Sequence, residues 1–188
     1  MKQSHLLLIG GLLAGLTACT TTADRYAVPP VEVPQQQRIA FRSVEVREVS
    51  LPAYAASDEI TIQDTDGRLV SAGSVLWADT PGRAVALELS RYLAQITGAR
   101  VASAPWPFEA FADAMLDVRF ERLVAQADGV FRATGQYFVG VTDGRRERSG
   151  FFDLSAPFDP EAGPGAIAAA RGQTIADLAA FVARDGLR

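Results

Sequence analysis

Three segments of alternating apolar and polar residues, separated by two Asp-Gly pairs, constrain the fold of this chain most strongly. The segments cover residues 115–126, 130–142 and 146–155, and the pairs between them are Asp128-Gly129 and Asp143-Gly144. An Asp-Gly pair between alternating runs indicates a β-hairpin, because glycine readily adopts the positive φ of a tight turn. The sequence therefore predicts a three-stranded antiparallel meander.

Two other segments carry an apolar stripe with the period of a helix. Residues 80–98 start with Thr80 as an N-cap and Pro81 in the first turn, and they end at Gly98, which is the expected arrangement of start and stop signals. The closing segment, residues 163–184, also carries an apolar stripe with the period of a helix. The stripes consist of Val85, Leu89, Tyr92, Leu93 and Ile96 in the first helix and of Ile167, Ile175, Leu178 and Val182 in the second.

Shorter strands are predicted elsewhere in the chain. They cover residues 38–50, the EITIQ and RLVSAG segments on either side of a DTDG turn, and residues 100–104. The predicted fold class is α+β, with an antiparallel or mixed β-sheet and two amphipathic helices packed on one face. Residues 38–188 are about the length of one domain with a real core.

The chain starts with an apolar leader that ends at its only cysteine. Lys2 lies at the charged end, the apolar run extends from Leu6 to Leu16, and small residues precede Cys19. The run is shorter than the roughly 20 residues that span a bilayer, so we interpret residues 1–18 as a processed signal peptide. The ending Leu-Thr-Ala-Cys resembles the lipobox of bacterial lipoproteins, in which the cysteine is acylated. An ordinary leader with a chance cysteine is the alternative.

If Cys19 is acylated, its acyl chains anchor the protein in a membrane, since each buried methylene contributes about 0.8 kcal/mol. Thr20 is not the aspartate that commonly retains lipoproteins at the inner membrane, and the resemblance therefore implies the outer membrane, with the protein facing the periplasm. Residues 19–37 are polar and rich in proline, and we predict that they form an extended tether.

Removal of the leader also removes whole classes of mechanism. His5 and Lys2 leave with it, and the remaining chain has no histidine, lysine or other cysteine. Triads, Schiff bases, thiol catalysis, His/Cys zinc sites and lysine-dependent phosphate loops are thereby excluded. Of the 18 basic residues only Lys2 is lost, so 17 arginines face 22 acids. This set of side chains leaves open only carboxylate chemistry and an oxygen-liganded metal. Our prediction is no enzyme activity, no cofactor, no metal and no nucleic-acid partner.

Two short stretches, in their order along the chain, resemble the pattern of a known family. The stretch VSLPAY, residues 49–54, is followed by a hairpin and then by LWAD, residues 76–79, which opens the first helix. Together with the lipobox and the terminal helix, this order resembles the ABC-type transport auxiliary lipoproteins, the PqiC-type subunits of envelope lipid-transport systems. This chain has Asp79 where the family usually has glutamate.

The resemblance implies an accessory role without catalysis. An outer-membrane lipoprotein of this kind docks a periplasmic MCE-domain transport protein and helps phospholipid or another hydrophobic cargo to pass between membranes. It supports membrane integrity, and identical copies can form a homo-oligomeric ring.

Five residues are candidates for the partner interface: Tyr54, Trp77, Asp79, Trp106 and Phe108. Large aromatic residues anchor many interfaces, and the loop at Trp106–Phe111 is the best candidate for an apolar patch that meets protein or lipid. Each residue also has a structural interpretation, because Tyr54 and Trp77 suit a core, Asp79 suits a helix start, and the aromatic loop equally suits a position buried under the helices.

Two other functions remain open at this stage. A cell-envelope glycan hydrolase would pair two acids, such as Glu109, Asp113 or Asp117, about 5–10 Å apart. A lipid-binding carrier lipoprotein would need an apolar cavity.

Overall fold

The computed structural model describes residues 22–33, 37–142 and 144–188. The signal peptide, Cys19 and Thr20 lie outside the described residues, as does Asp143 of the second predicted turn. In chain order the elements are β1 (Asp24–Tyr26), β2 (Ser43–Val46), α1 (Ala53–Ala56), β3 (Glu59–Gln63), β4 (Leu69–Trp77), α2 (Pro81–Thr97), β5 (Arg100–Ser103), β6 (Ala114–Gln126), β7 (Val130–Val141), β8 (Arg148–Pro157), a 3-10 turn (Pro160–Ala162) and α3 (Pro164–Asp185).

The sheet is organised around the long strand β6. On one side β6 pairs antiparallel with β7, and β7 pairs antiparallel with β8. The other side is shared: β2 pairs parallel with the start of β6, and β3 pairs parallel with its end. Beyond these lie β5 next to β2, and then β4 and β1 next to β3. The sheet therefore divides into two wings along the second side of β6.

A bulge in β6 depends on one glycine of β7. The register shifts between Phe120 and Arg122, opposite Gly135 and Thr134. A Cβ atom on Gly135 would lie 2.1 Å from the carbonyl oxygen of Arg119, a distance that no side chain tolerates. The absence of a side chain at Gly135 thus permits the bulge, and a bulge bends the strand that contains it.

The two long helices form the second layer and pack against each other. Their predicted stripes are buried, with Val85, Leu89 and Ile175 fully inaccessible. By length and composition α3 could span a membrane, but 67% of its apolar window is buried in the domain, which is typical of a core helix. The predicted end of α2 is confirmed, because Gly98 has a φ of 66°.

Most of the predicted architecture is confirmed. The fold is mixed α+β, the meander corresponds to β6, β7 and β8, and β3 and β4 form the predicted hairpin. In residues 38–50 only Ser43–Val46 is a strand. Its length is limited because the parallel neighbours β5 and β6 pair with it only over these residues. The elements β1 and α1 were not predicted. The side chain of Thr80 forms no capping hydrogen bond.

The described part of the predicted tether lies on the domain. Strand β1 pairs with the end of β4, and Val28 and Val31 pack against the core. The N–H of Val31 donates a hydrogen bond to the hydroxyl of Tyr92 at 3.3 Å. Gly172 of α3 makes room for this segment, since a Cβ there would lie 2.8 Å from Val28 Cγ1. Residues 24–33 are therefore part of the folded domain.

Candidate docking surfaces

The five residues predicted as a partner interface lie in two separate parts of the fold. Tyr54, Trp77 and Asp79 surround the start of α2, whereas Trp106 and Phe108 belong to the loop between β5 and β6. The predicted set therefore corresponds to two candidate surfaces with different exposure.

The residues near the start of α2 make most of their contacts within the domain. Trp77 is 7% exposed. Tyr54 is half-buried, and its hydroxyl accepts a hydrogen bond from the N–H of Leu123 at 3.3 Å. One carboxylate oxygen of Asp79 accepts a hydrogen bond from the next backbone N–H at 2.9 Å, and the other pairs with Arg83. An interface role for these three residues stays a prediction, and their packing role is visible.

A buried ion pair next to Trp77 joins α2 to α3. The guanidinium of Arg171 lies 4.6 Å from the centre of the Trp77 ring, and its Nη2 donates to Glu88 Oε1 at 3.3 Å. Among the described residues, Glu88 Oε2 and Arg171 Nε have no hydrogen-bond partner. Burial raises the pKa of Glu88, against the opposing effect of Arg171 and Arg91. Burial also lowers the pKa of Arg171. Both charged groups therefore lose hydration in the folded protein, and this loss opposes their mutual attraction.

This pair was not predicted, although the sequence contained a signal for it. Glu88 lies one turn after Val85, within the apolar stripe of α2. Arg171 lies four residues after Ile167, within the stripe of α3. A single charged residue on each of two facing stripes indicates a pair between the helices.

The loop between β5 and β6 presents aromatic rings to solvent. Trp106 Nε1 donates to the carbonyl oxygen of Ala110 at 2.7 Å, which closes the loop on itself. The rings of Trp106 and Phe108 meet edge to face with centroids 4.9 Å apart, and the guanidinium of Arg100 lies 4.9 Å from the Phe108 centroid. Phe108 is 43% exposed and Phe111 is 88% exposed. We call Trp106, Phe108, Phe111 and Arg100 the aromatic end.

The aromatic end is fixed to the domain at its C-terminal side. Asp113 Oδ2 accepts hydrogen bonds from the N–H groups of Arg42 and Ser43, at 2.8 and 3.2 Å. An open cleft of about 530 Å³ lies next to it, with Phe111, Asp113 and Arg146 among its lining residues. Exposed rings flanked by arginines suit a partner that offers apolar and acidic groups.

The acids considered for glycan hydrolysis have structural partners or lie in the open. Asp113 holds the aromatic loop, as described above. Asp117 pairs with Arg119 at 3.0 Å, and Glu109 is exposed. Among the described residues, no group of three or more acidic, histidine or cysteine side chains could hold a metal ion.

Among the described residues, the side chains next to the Glu88–Arg171 pair leave only a small space. The space between Tyr54, Trp77 and Arg171 amounts to about 20 Å³, which is close to the minimum for one water molecule. Ligand pockets for small molecules usually exceed about 300 Å³. This space is too small for a lipid chain.

A third surface is the outer edge of β8. Over the described residues, β8 pairs only with β7, so the backbone groups along its other edge face outward. Phe151 on this strand is 74% exposed. A ten-residue open edge with an exposed aromatic ring can pair with another strand.

Comparisons with known proteins agree with this fold. A family model described as ABC-type transport auxiliary lipoprotein component matches residues 26–183. No curated protein matches significantly. The crystal structure of an uncharacterized protein superposes with a TM-score of 0.68 at 21% identity, over 86% of this chain and 97% of that chain. A Xanthomonas campestris protein of the DUF330 family superposes with a TM-score of 0.66 at 20% identity, over 85% and 92% of the two chains.

Proposed function

Because the chain belongs to the family of ABC-type transport auxiliary lipoprotein components, we propose that it is an outer-membrane-anchored accessory subunit of an MCE-type intermembrane lipid transport system. Membership of a lipoprotein family implies a membrane-anchored location in the envelope. In the proposed role, acylated Cys19 anchors the protein, and the domain docks a periplasmic MCE-domain protein. Envelope integrity then depends on this contact while phospholipid passes between the membranes.

The aromatic end is the observation that best supports docking. Phe111 extends almost fully into solvent, and Phe108 lies next to the cation of Arg100. Aromatic residues and arginine are the residue types that most often dominate the binding energy of protein interfaces. Contact of these apolar rings with water is unfavourable in the free protein, so a partner that covers them binds more tightly.

The proposed role is not enzymatic. The chain after the leader has no histidine, lysine or free thiol if Cys19 is acylated, and Asp113 and Asp117 are engaged in contacts that position the backbone or balance charge. A glycan hydrolase would need two acids free on either side of a glycosidic bond, and of the three candidates only Glu109 is exposed without such a contact.

Cargo handling is assigned to the partner for a similar reason. The small size of the space between Tyr54, Trp77 and Arg171 favours a docking subunit over a carrier that encloses lipid. We propose that any phospholipid contact of this chain is made on its surface.

The same proposal includes a ring of identical copies. The open edge of β8 and the exposed ring of Phe151 support it, because an edge strand joins copies without rearrangement of the fold. Mass measurement of the detergent-solubilised protein tests this part: a closed ring gives one multiple of the protomer mass, and Phe151→Arg should reduce it.

The decisive experiment is a pull-down from detergent-solubilised membranes, with the full-length tagged protein and mass-spectrometric identification of its partners. We expect an MCE-domain protein in the eluate, and we expect its amount to fall at least tenfold in the double variant Phe108→Ser, Phe111→Ser, since two hot-spot residues each contribute about 1 kcal/mol or more.

Leu87→Ser is the matched control, because Leu87 is a comparably exposed apolar residue on α2, at 41%. It should leave the yield unchanged. Recovery of the MCE-domain protein at full yield with the double variant would refute the role of the aromatic end. Turnover of a glycan by the purified protein would refute the docking function itself.

A further inference from the structure

The chain between the acylation site and the folded domain is short. Residues 24–33 lie on the domain, and β1 starts at Asp24. Cys19 precedes Asp24 by five residues, and an extended chain spans at most about 3.3–3.6 Å per residue. The sulfur that carries the lipid is thus confined to about 17 Å from Asp24. A free tether starting at Gln37 would reach more than three times as far.

The strand registers show which end of the domain lies within this distance. Strand β1 is parallel to β4, with Asp24 opposite Val75. The chain that precedes Asp24 therefore approaches from the side of the β3–β4 turn, residues 64–68. This turn lies only a few residues along β3 from the level of Asp24, or roughly 15 Å at 3.3 Å per residue.

The aromatic end lies at the opposite end of the molecule. Ile62 of β3 pairs with Ala125, near the end of β6, whereas the aromatic loop leads into Ala114, at the start of β6. From the level of Asp24 to Ala114 the sheet therefore extends for roughly 30 Å. This distance exceeds the reach of the chain that carries the lipid.

The hairpin that lies within reach has exposed apolar side chains. Leu69 is 41% exposed and Val70 is 44% exposed, and both follow the β3–β4 turn directly. The charges at the turn do not favour anionic lipid: Arg68 already pairs with Asp64 at 3.0 Å, and Asp66 is negative. A contact made here would depend on apolar burial and would be insensitive to salt.

We propose that the β3–β4 hairpin, through Leu69 and Val70, rests on the same bilayer that holds the acyl chains of Cys19, and that the aromatic end points away from that bilayer. The proposal rests on the lipid anchor of the proposed function but not on its transport partner. It gives the domain one orientation, in which the docking surface faces the periplasmic space.

Fluorescence quenching by lipids tests this orientation. Acylated Cys19 has no free thiol, so Asp66→Cys and Glu109→Cys each supply one site for a fluorescent label, at the hairpin turn and at the aromatic end. The full mature lipoprotein is reconstituted in phosphatidylcholine vesicles that carry a nitroxide on the headgroup, with no partner present. We expect severalfold stronger quenching at position 66 than at position 109, in low and high salt. Equal quenching, or stronger quenching at position 109, would overturn the proposal.

Two further variants separate the effect of the short segment between Cys19 and Asp24 from the effect of the apolar contact. A flexible insert of twelve Gly and Ser residues after Thr22 should lower quenching at position 66 to that at position 109 while the protein stays on the vesicles, since such an insert adds about 19 Å of mean reach. Leu69→Ser, Val70→Ser should reduce quenching at position 66, and Leu87→Ser, which alters another exposed apolar residue, should not. If the insert leaves the strong quenching at position 66 in place, the short segment between Cys19 and Asp24 does not set the orientation, and that part of the proposal is wrong.

Failure of the anchor itself is seen independently. Mass spectrometry of the mature N-terminus reports whether Cys19 is acylated, and flotation reports whether the protein stays on vesicles. An acylated, floating protein with the wrong quenching pattern overturns the orientation alone, whereas an unacylated protein overturns the anchor and with it this proposal. The pull-down of an MCE-domain protein stands apart from both.

Discussion

Replacement of the buried Glu88–Arg171 pair tests how the two helices are held together. Removal of one partner leaves the other charge in the interior without compensation, which costs about 3–5 kcal/mol, whereas replacement of both by apolar residues of similar size is often neutral or stabilising. We expect Glu88→Leu and Arg171→Met each to lower the free energy of unfolding by about 3 kcal/mol or more, and the double variant to lie within about 1 kcal/mol of the parent. The structure supports this because both side chains are almost fully buried and each has an unpaired polar atom.

The two single variants should respond differently to pH. In Arg171→Met the carboxyl of Glu88 can take up a proton, whereas in Glu88→Leu the guanidinium of Arg171 keeps its charge. Burial raises the pKa of Glu88 in the folded protein, and Arg171 is the first group that opposes this. Loss of Arg171 therefore raises the pKa of Glu88 further, although Arg91 still opposes the rise.

The direction of the effect follows from proton linkage. Between the unfolded and the folded pKa of Glu88, the folded Arg171→Met protein binds more protons than the unfolded chain, so its stability rises as the pH falls. The slope is at most about 1.4 kcal/mol per pH unit. From pH 7 to pH 5, Arg171→Met should recover up to about 2.7 kcal/mol relative to the parent, and Glu88→Leu should recover none.

Urea unfolding of the mature chain with Cys19→Ala, followed by circular dichroism at pH 5, 6 and 7, measures these values. The background is favourable because the chain after the leader has no histidine to titrate in this range. Two results would refute the reasoning: a double variant as unstable as the two single losses combined, or an Arg171→Met variant that gains no stability relative to Glu88→Leu at pH 5.

Gly135→Ala should lower the free energy of unfolding by more than about 3 kcal/mol or prevent folding, since its Cβ would lie 2.1 Å from the carbonyl oxygen of Arg119; Gly140→Ala, whose nearest contact would be at 3.8 Å, is the control in the same thermal melts. Asp113→Ala should cost about 1–3 kcal/mol because it leaves two backbone N–H groups without their acceptor, and faster amide exchange of those two groups would confirm it. Trp106→Phe should cost about 1 kcal/mol through loss of the hydrogen bond to the loop, and proteolysis of the loop should become faster; an unchanged cleavage rate would contradict the closing role of Trp106.

The sequence was informative where a local pattern decides the structure. The Asp128-Gly129 turn, the stripes of α2 and α3 and the stop at Gly98 depend on neighbouring residues, and each appears at the predicted place. The family resemblance, carried by the LPAY and LWAD stretches, is confirmed by the match over residues 26–183.

Features that depend on residues distant in sequence were not predictable in this way. Strand β2 is only four residues long and is defined by parallel neighbours on both sides, so its alternation is too short to identify its ends. The sequence places one charged residue in each helix stripe, but only the fold shows that Glu88 and Arg171, 83 positions apart, meet. The candidate interface set combined Trp77 with Trp106 because both are conspicuous residues, and only the fold separates a core tryptophan from one in an exposed loop.

The composition of the N-terminal segment explains how a stretch with little secondary structure becomes a fixed part of the domain. Prolines at positions 29 and 30 restrict the backbone before docking, so less conformational entropy is lost when the segment is laid down than the roughly 1–2 kcal/mol that an unrestricted residue loses. Tyr26-x-Val28 and Val31-x-Val33 place apolar side chains at every second position, and Gly172 lets the backbone approach α3 closely. A Gly/Ser spacer of equal length would lack both advantages and would stay undocked from the domain. The proline-rich composition that predicts an extended tether therefore also favours a segment that docks on the domain.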